Sequence, residues 1–118
     1  MSNDYSRKLR PPSKPPSDRE AVILQILSTG GLRGRYGLEI RELYELQSNR
    51  GMPLGSLYTT LKRMEAKGYL ASEMGESTHE RGGNRRKYFR IEAPGIKALR
   101  AFEDLIRERA SMTGLVVG

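Results

Sequence analysis

Cysteine and tryptophan are absent from this chain of 118 residues, and histidine occurs once, at His79. Without cysteine there is neither a disulfide framework nor a thiolate metal site, and one imidazole is too few for a histidine-based centre. Long hydrophobic runs are also missing. The longest, Ala21 to Leu24 and Leu115 to Val117, fall far short of the roughly 20 residues of a membrane span, and no apolar stretch of the signal-peptide kind opens the chain. These absences predict a cytoplasmic protein with no membrane partner. Acidic residues are the minority charge, 14 Asp+Glu against 21 Lys+Arg for a net charge of +7. They lie scattered, without the spacing that would converge carboxylates on a metal as a nuclease requires, so neither an enzyme nor a cofactor is expected. His79 has nothing near it to complete a site and reads as a surface residue. The excess of cations favours a polyanionic partner, a class that by charge alone includes nucleic acid, membranes and acidic proteins.

The length predicts one domain, small enough to be marginally stable unless it gains buried surface by oligomerising. Residues 1–16 hold four of the six prolines (Pro11, Pro12, Pro15, Pro16) with Arg7, Lys8, Arg10 and Lys14. That composition predicts a disordered basic arm, which is either a minor-groove or phosphate-tracking arm or a flexible leader. The folded part, 17–92, is expected to start at Ser17, because Ser17-Asp-Arg-Glu20 fits a capping box. Val22, Ile23, Ile26 and Leu27 then recur at helical spacing up to a stop at Thr29-Gly-Gly31. A second helix is predicted from about Tyr36 to Gln47, with Leu38, Ile40, Leu43, Tyr44 and Leu46 apolar and Glu39, Arg41, Glu42 and Glu45 on a solvated face. A third should begin at Pro53 or Leu54, where proline suits the first turn, and end at Gly68.

In the third helix Leu54, Leu57, Leu61 and Met64 fall on one side, which leaves Gly55, Ser56, Thr59, Lys62, Arg63 and Ala66 on the other and Tyr58 on the border. An outer face of small residues, hydroxyls and two cations can approach a major groove closely. After it, Tyr69 to Glu76 reads as a short strand, Ser77 to Asn84 as a loop around Gly82-Gly83, and Arg85 to Ile91 as the returning strand. Lys87, Phe89 and Ile91 should point one way and Arg86, Tyr88 and Arg90 the other. Five residues between Arg81 and Arg90 are cationic, so the hairpin is suited to phosphates flanking the groove. Glu92-Ala-Pro-Gly95 opens a last helix within 93–112, and 113–118 is expected to be a flexible tail. Its stripe Ile96, Leu99, Phe102, Leu105 and Ile106 can fold back on its own domain or pair with the same helix of a second subunit; pairing is the expected use.

The chain resembles the PadR family of winged helix-turn-helix transcriptional regulators over about Asp18 to Arg109. The resemblance rests on Tyr36-Gly-Leu-Glu-Ile40, on Gly55-Ser-Leu-Tyr58 with Leu61, Arg63, Glu65 and Gly68-Tyr-Leu70, and on Gly82-Gly83 through Arg86-Lys-Tyr-Phe-Arg-Ile91, followed by Gly95. It implies a mainly α (α+β) fold: a winged helix-turn-helix domain with a two-stranded wing and one C-terminal dimerisation helix. It also implies a homodimer, a repressor by function, that binds a palindromic operator in double-stranded DNA. Many members have proline where Thr59 stands and Thr or Ser where Glu92 stands, a weaker helix N-cap. The expected base-edge contacts are Ser56, Thr59 and Lys62, with Arg63 in either role, and the expected phosphate contacts are Arg81, Arg85, Arg86, Lys87 and Tyr58. A small-molecule effector is left open. The alternative is a winged-helix interaction module that binds an acidic protein.

Overall fold

The computed structural model describes residues 15–75 and 85–112. Four helices and three short strands follow one another as α1 (Asp18–Ser28), β1 (Arg35–Tyr36), α2 (Gly37–Ser48), α3 (Leu54–Ala66), β2 (Leu70–Met74), β3 (Lys87–Ile91) and α4 (Ala93–Met112). Most of the expected N-terminal arm, the wing loop with Arg81 and His79, and the expected tail lie outside the described residues. Pro16, assigned to the arm on composition, is buried.

The capping box forms: the Ser17 hydroxyl accepts from the Glu20 amide at 3.2 Å, and the Glu20 carboxylate accepts from the Ser17 amide at 3.0 Å. Two orphan donors of α1 are satisfied in this way. Glu20 also receives Lys67 Nζ from beyond the end of α3 at 2.9 Å, so the start of α1 is tied to the end of the third helix. Helix α1 is buried over more than the expected stripe, since Ala21 and Leu24 join Ile23, Ile26 and Leu27 inside while Val22 lies at the margin. It is the central helix, with α2, β3 and α4 packed around it.

Sequence reading missed β1. It pairs antiparallel with β3 through Arg35↔Phe89 and Tyr36↔Tyr88, so the expected two-stranded wing is part of a three-stranded sheet ordered β1-β3-β2. Two residues are too few to show a period of two, and a strand so short exists only through its partner. Arg35 anchors it by donating Nε to the Ile26 carbonyl at 2.9 Å and an Nη to that of Thr29 at 3.1 Å, which satisfies the open carbonyls at the end of α1. The β2–β3 register runs from Leu70↔Ile91 to Met74↔Lys87, with Phe89 directed into the core.

Helix α2 departs from expectation at two of its leucines. Ile40 and Tyr44 are buried and Leu43 partly so, whereas Leu38 is 50% and Leu46 79% exposed. At 100° per residue both fall well off the Ile40–Leu43–Tyr44 line, and an exposed leucine is unremarkable in a small domain. Nor are Glu39 and Arg41 merely solvated: Glu39 pairs with Arg33 and Arg35, and Arg41 Nε donates to the Met52 carbonyl at 3.0 Å while pairing with Glu45. Arg41 thereby clips α2 to the turn that launches α3. That third helix ends at Ala66 with Lys67 as its C-cap, and Gly68, at φ 81°, supplies the left-handed residue that lets the chain turn into β2.

Candidate nucleic-acid interface

The inner face of α3 is anchored by Leu57, Leu61 and Met64, all fully buried. Thr60 is buried beside them, its hydroxyl donated to the Ser56 carbonyl. At 3.6 residues per turn these positions force Gly55, Ser56, Thr59, Lys62, Arg63 and Ala66 outward, and all six are exposed. Tyr58 lies at the border, 43% exposed. Its ring and hydroxyl cover the α-carbon of Gly37 so closely that a side chain at that position would collide with the phenol. The third helix thus lays a tyrosine across the glycine that opens α2, a contact no local pattern reveals. The tyrosine joins the outer face of α3 to the N-terminus of α2.

On the wing, Gly75 and Arg86 hold the strands together, the Gly75 amide donating to the Arg86 carbonyl at 2.7 Å. Arg85 Nε donates to the Gly75 carbonyl at 2.9 Å. The Arg86 guanidinium sits 4.4 Å above the Tyr36 ring, Tyr36 meets Tyr88 edge to face at 5.7 Å, and Arg33 stacks on Tyr88 at 5.3 Å. This ladder of two cations and two rings covers the outer face of the sheet, and β1, the strand missed in sequence, supplies one of its rings. Stacking holds Arg86 in place without neutralising its charge, whereas Arg33 is also paired with Glu39.

Among the described residues, Lys62, Arg63, Arg85, Arg86 and Lys87 have no carboxylate within ion-pairing distance, whereas Arg33, Arg35, Arg41, Lys67, Arg90 and Arg107 all do. The expected DNA-contacting cations within the described region thus keep their full charge for an external anion. Arg90, also counted among the wing cations, is closed by Glu73 at 2.7 Å. No group of three or more potential metal ligands occurs among the described residues, and no described helix is long and apolar enough to cross a membrane.

Among the described residues, Glu20 is the one carboxyl whose affinity for protons clearly moves. Burial pushes its pKa up, but the hydrogen bonds from Lys67 and from the Ser17 amide, together with the Lys67 charge, outweigh burial and hold it below its ordinary 4.5. This group braces the scaffold behind α3 and lies away from the outer face.

Helix α4 divides into two parts. Its first turns pack inward: Gly95 lies against the Tyr69 carbonyl and Ile91, and Ala98 and Leu99 are buried. Leu99, one of the five residues expected to pair subunits, belongs instead to the core of its own chain, because α4 must dock on α1 before it can project beyond it. Ile96, in the first turn, faces outward at 38% exposed; further along, Phe102 and Leu105 are half-buried and Ile106 is 48% exposed.

Residues 23–101 match the model of the transcriptional regulator PadR-like family. Among solved structures, a transcriptional regulator from Clostridium thermocellum is 27% identical, over 84% of this chain and 92% of that one, with a TM-score of 0.64. A PadR family transcription regulator from Clostridium difficile is 25% identical, over 82% and 98%, at 0.61. A PadR-like transcriptional regulator from Bacillus cereus shares the fold at 24% identity, over 80% and 86%, at 0.65. No curated protein matches the chain in sequence.

Proposed function

The chain belongs to the PadR-like family of transcriptional regulators, and from that premise we propose that it is a homodimeric repressor that reads a palindromic operator in double-stranded DNA. Helix α3 enters the major groove, whose width admits one helix. Ser56, Thr59 and Lys62 face base edges, Arg63 reaches either a base or a phosphate, and Tyr58 lies against the backbone at the start of α2. From the wing, Arg81, Arg85, Arg86 and Lys87 contact the flanking phosphates, which set register without carrying sequence information. Two copies join through the outward side of α4, with Ile96, Phe102, Leu105 and Ile106 as the apolar contacts, and present two α3 helices about a two-fold axis. Repression follows from occupancy of the operator. Residues 17–92 form the DNA-binding unit in this reading and 93–112 the dimerising one, and the protein works in the cytoplasm.

The observation that carries this reading is the outer face of α3: six exposed residues, two of them cations without a carboxylate partner, on a helix whose other side is immobilised in the core. Such a face is rigid, uncrowded and positively charged, as a base-reading helix must be. The test is selection of duplexes from a random pool by the full chain, together with mapping of protected DNA upstream of its own gene. The expected product is an inverted repeat with half-sites about 10 bp apart centre to centre. A protein that enriches no duplex and instead binds an acidic protein would be an interaction module, and the reading would fall.

A further inference from the structure

The two hydroxyls on the outer face of α3 are not equivalent. Ser56 makes no side-chain hydrogen bond among the described residues, whereas the exposed Thr59 hydroxyl donates to the Gly55 carbonyl one turn back, at 3.0 Å. A threonine hydroxyl has one proton, so Thr59 has no donor left to offer a base edge. With its oxygen turned onto the helix, the γ-methyl is what this exposed side chain has left to offer a partner. In front of it there is room. Gly55 lies four residues back on the same face, and a methyl group added at its α-carbon would meet nothing within 4 Å. Internal packing does not require glycine there, and helix propensity disfavours it.

Building on the reading of α3 as the base-reading helix, we propose that Thr59 selects thymine, its γ-methyl meeting the thymine 5-methyl group in the space Gly55 leaves open. In the major groove thymine differs from cytosine in presenting a carbonyl acceptor and a methyl group where cytosine presents an amino donor. A residue with its proton engaged has nothing to give the carbonyl and an apolar surface to give the methyl. Cytosine at the same position leaves that surface against an unmethylated ring edge.

The experiment takes the duplex enriched by the full chain and replaces each thymine singly with deoxyuridine, which removes only the methyl group. At one thymine per half-site the replacement should weaken wild-type binding about four-fold, the worth of one buried methyl, and about fifteen-fold when both half-sites are changed. Thr59→Val, which keeps a γ-methyl and drops the hydroxyl, should show the same deoxyuridine penalty as the wild type. Thr59→Ser should bind the thymine duplex about as weakly as the wild type binds the uracil one and show no further penalty. Gly55→Ala should melt no lower than the wild type yet lose affinity for the thymine duplex. The assignment is overturned if no deoxyuridine replacement weakens binding, if Thr59→Val loses what Thr59→Ser keeps, or if Gly55→Ala binds as the wild type does. A pool from which no sequence is enriched overturns the DNA-reading function itself, a failure distinct from an enriched sequence indifferent to its methyl groups.

Discussion

Helix α3 places Leu57, Leu61 and Met64 wholly inside the chain, whereas α4, with an apolar stripe just as regular, buries only Gly95, Ala98 and Leu99 and leaves Ile96 and Ile106 38% and 48% exposed. Amphipathic spacing alone does not distinguish them, because it specifies which residues share a face and not what that face meets. The difference comes from position. Helix α3 lies between α2 and the sheet, so its apolar face is closed on its own chain and its polar face is free to read. Helix α4 leaves the domain after docking on α1, so its free face is partly apolar and suited to a second copy. In the reading proposed above, one helix has its core contact behind it and its function in front, and in the other the contact surface is itself the function.

The largest expected effect breaks the α4 side of this contrast. Replacing Phe102 and Leu105 together by glutamate should produce monomers by light scattering and weaken operator binding by about 100-fold or more, because linked half-sites gain roughly 100- to 10,000-fold from simultaneous engagement. The melting transition should survive, since both side chains are only half-buried. A double variant that stays dimeric, or a wild type that is monomeric at micromolar concentration, would remove α4 as the joining surface.

On α3 the two faces should separate cleanly. Leu61→Ala should destabilise the fold by about 2–5 kcal/mol in denaturant titration, as large-to-small changes in a closed core do. Lys62→Ala should leave stability within about 0.5 kcal/mol and cost about 1–3 kcal/mol at the operator. Wild-type operator affinity in Lys62→Ala would take that residue out of the readout.

The wing should behave differently from both. Arg85→Ala with Arg86→Ala should weaken specific and random duplexes alike, and the salt dependence of binding should lose about one unit of slope for each phosphate contact removed. Loss confined to the operator would mean that these arginines read bases. Removing the platform alone, with Tyr36→Leu, should have a smaller effect of the same kind, since Arg86 keeps its charge and loses only the ring beneath it.

The smallest expected effect sharpens the scaffold behind α3. Glu20 has a folded pKa below its ordinary 4.5, so the unfolded chain takes up its proton first as pH falls. Its stabilising contribution is complete above about pH 4.5 and is lost as pH drops through the lower folded value. Glu20→Gln should therefore melt lower than the wild type at neutral pH, with the difference narrowing below about pH 4.5. A constant difference across that range would place the effect in packing.

Much of the interface was legible in local patterns. Ser17 and Glu20 announce the first helix by their spacing, and the leucines of α3 determine by period alone that Ser56, Thr59, Lys62 and Arg63 face outward. The clustered cations after Ser77 mark the wing. These features depend on helix geometry, capping chemistry and charge, which act over a few residues. The tertiary structure decided what depends on distant partners. Strand β1 exists because β3 lies beside it, and Tyr58 crosses Gly37 because α3 packs against α2. Glu39 and Arg41 act as clips because Arg33, Arg35 and the Met52 carbonyl come within reach. Leu99 is core because α4 docks on α1. A residue's type and spacing determine which face it occupies; which of its atoms remain free on that face is decided only once the whole chain has packed.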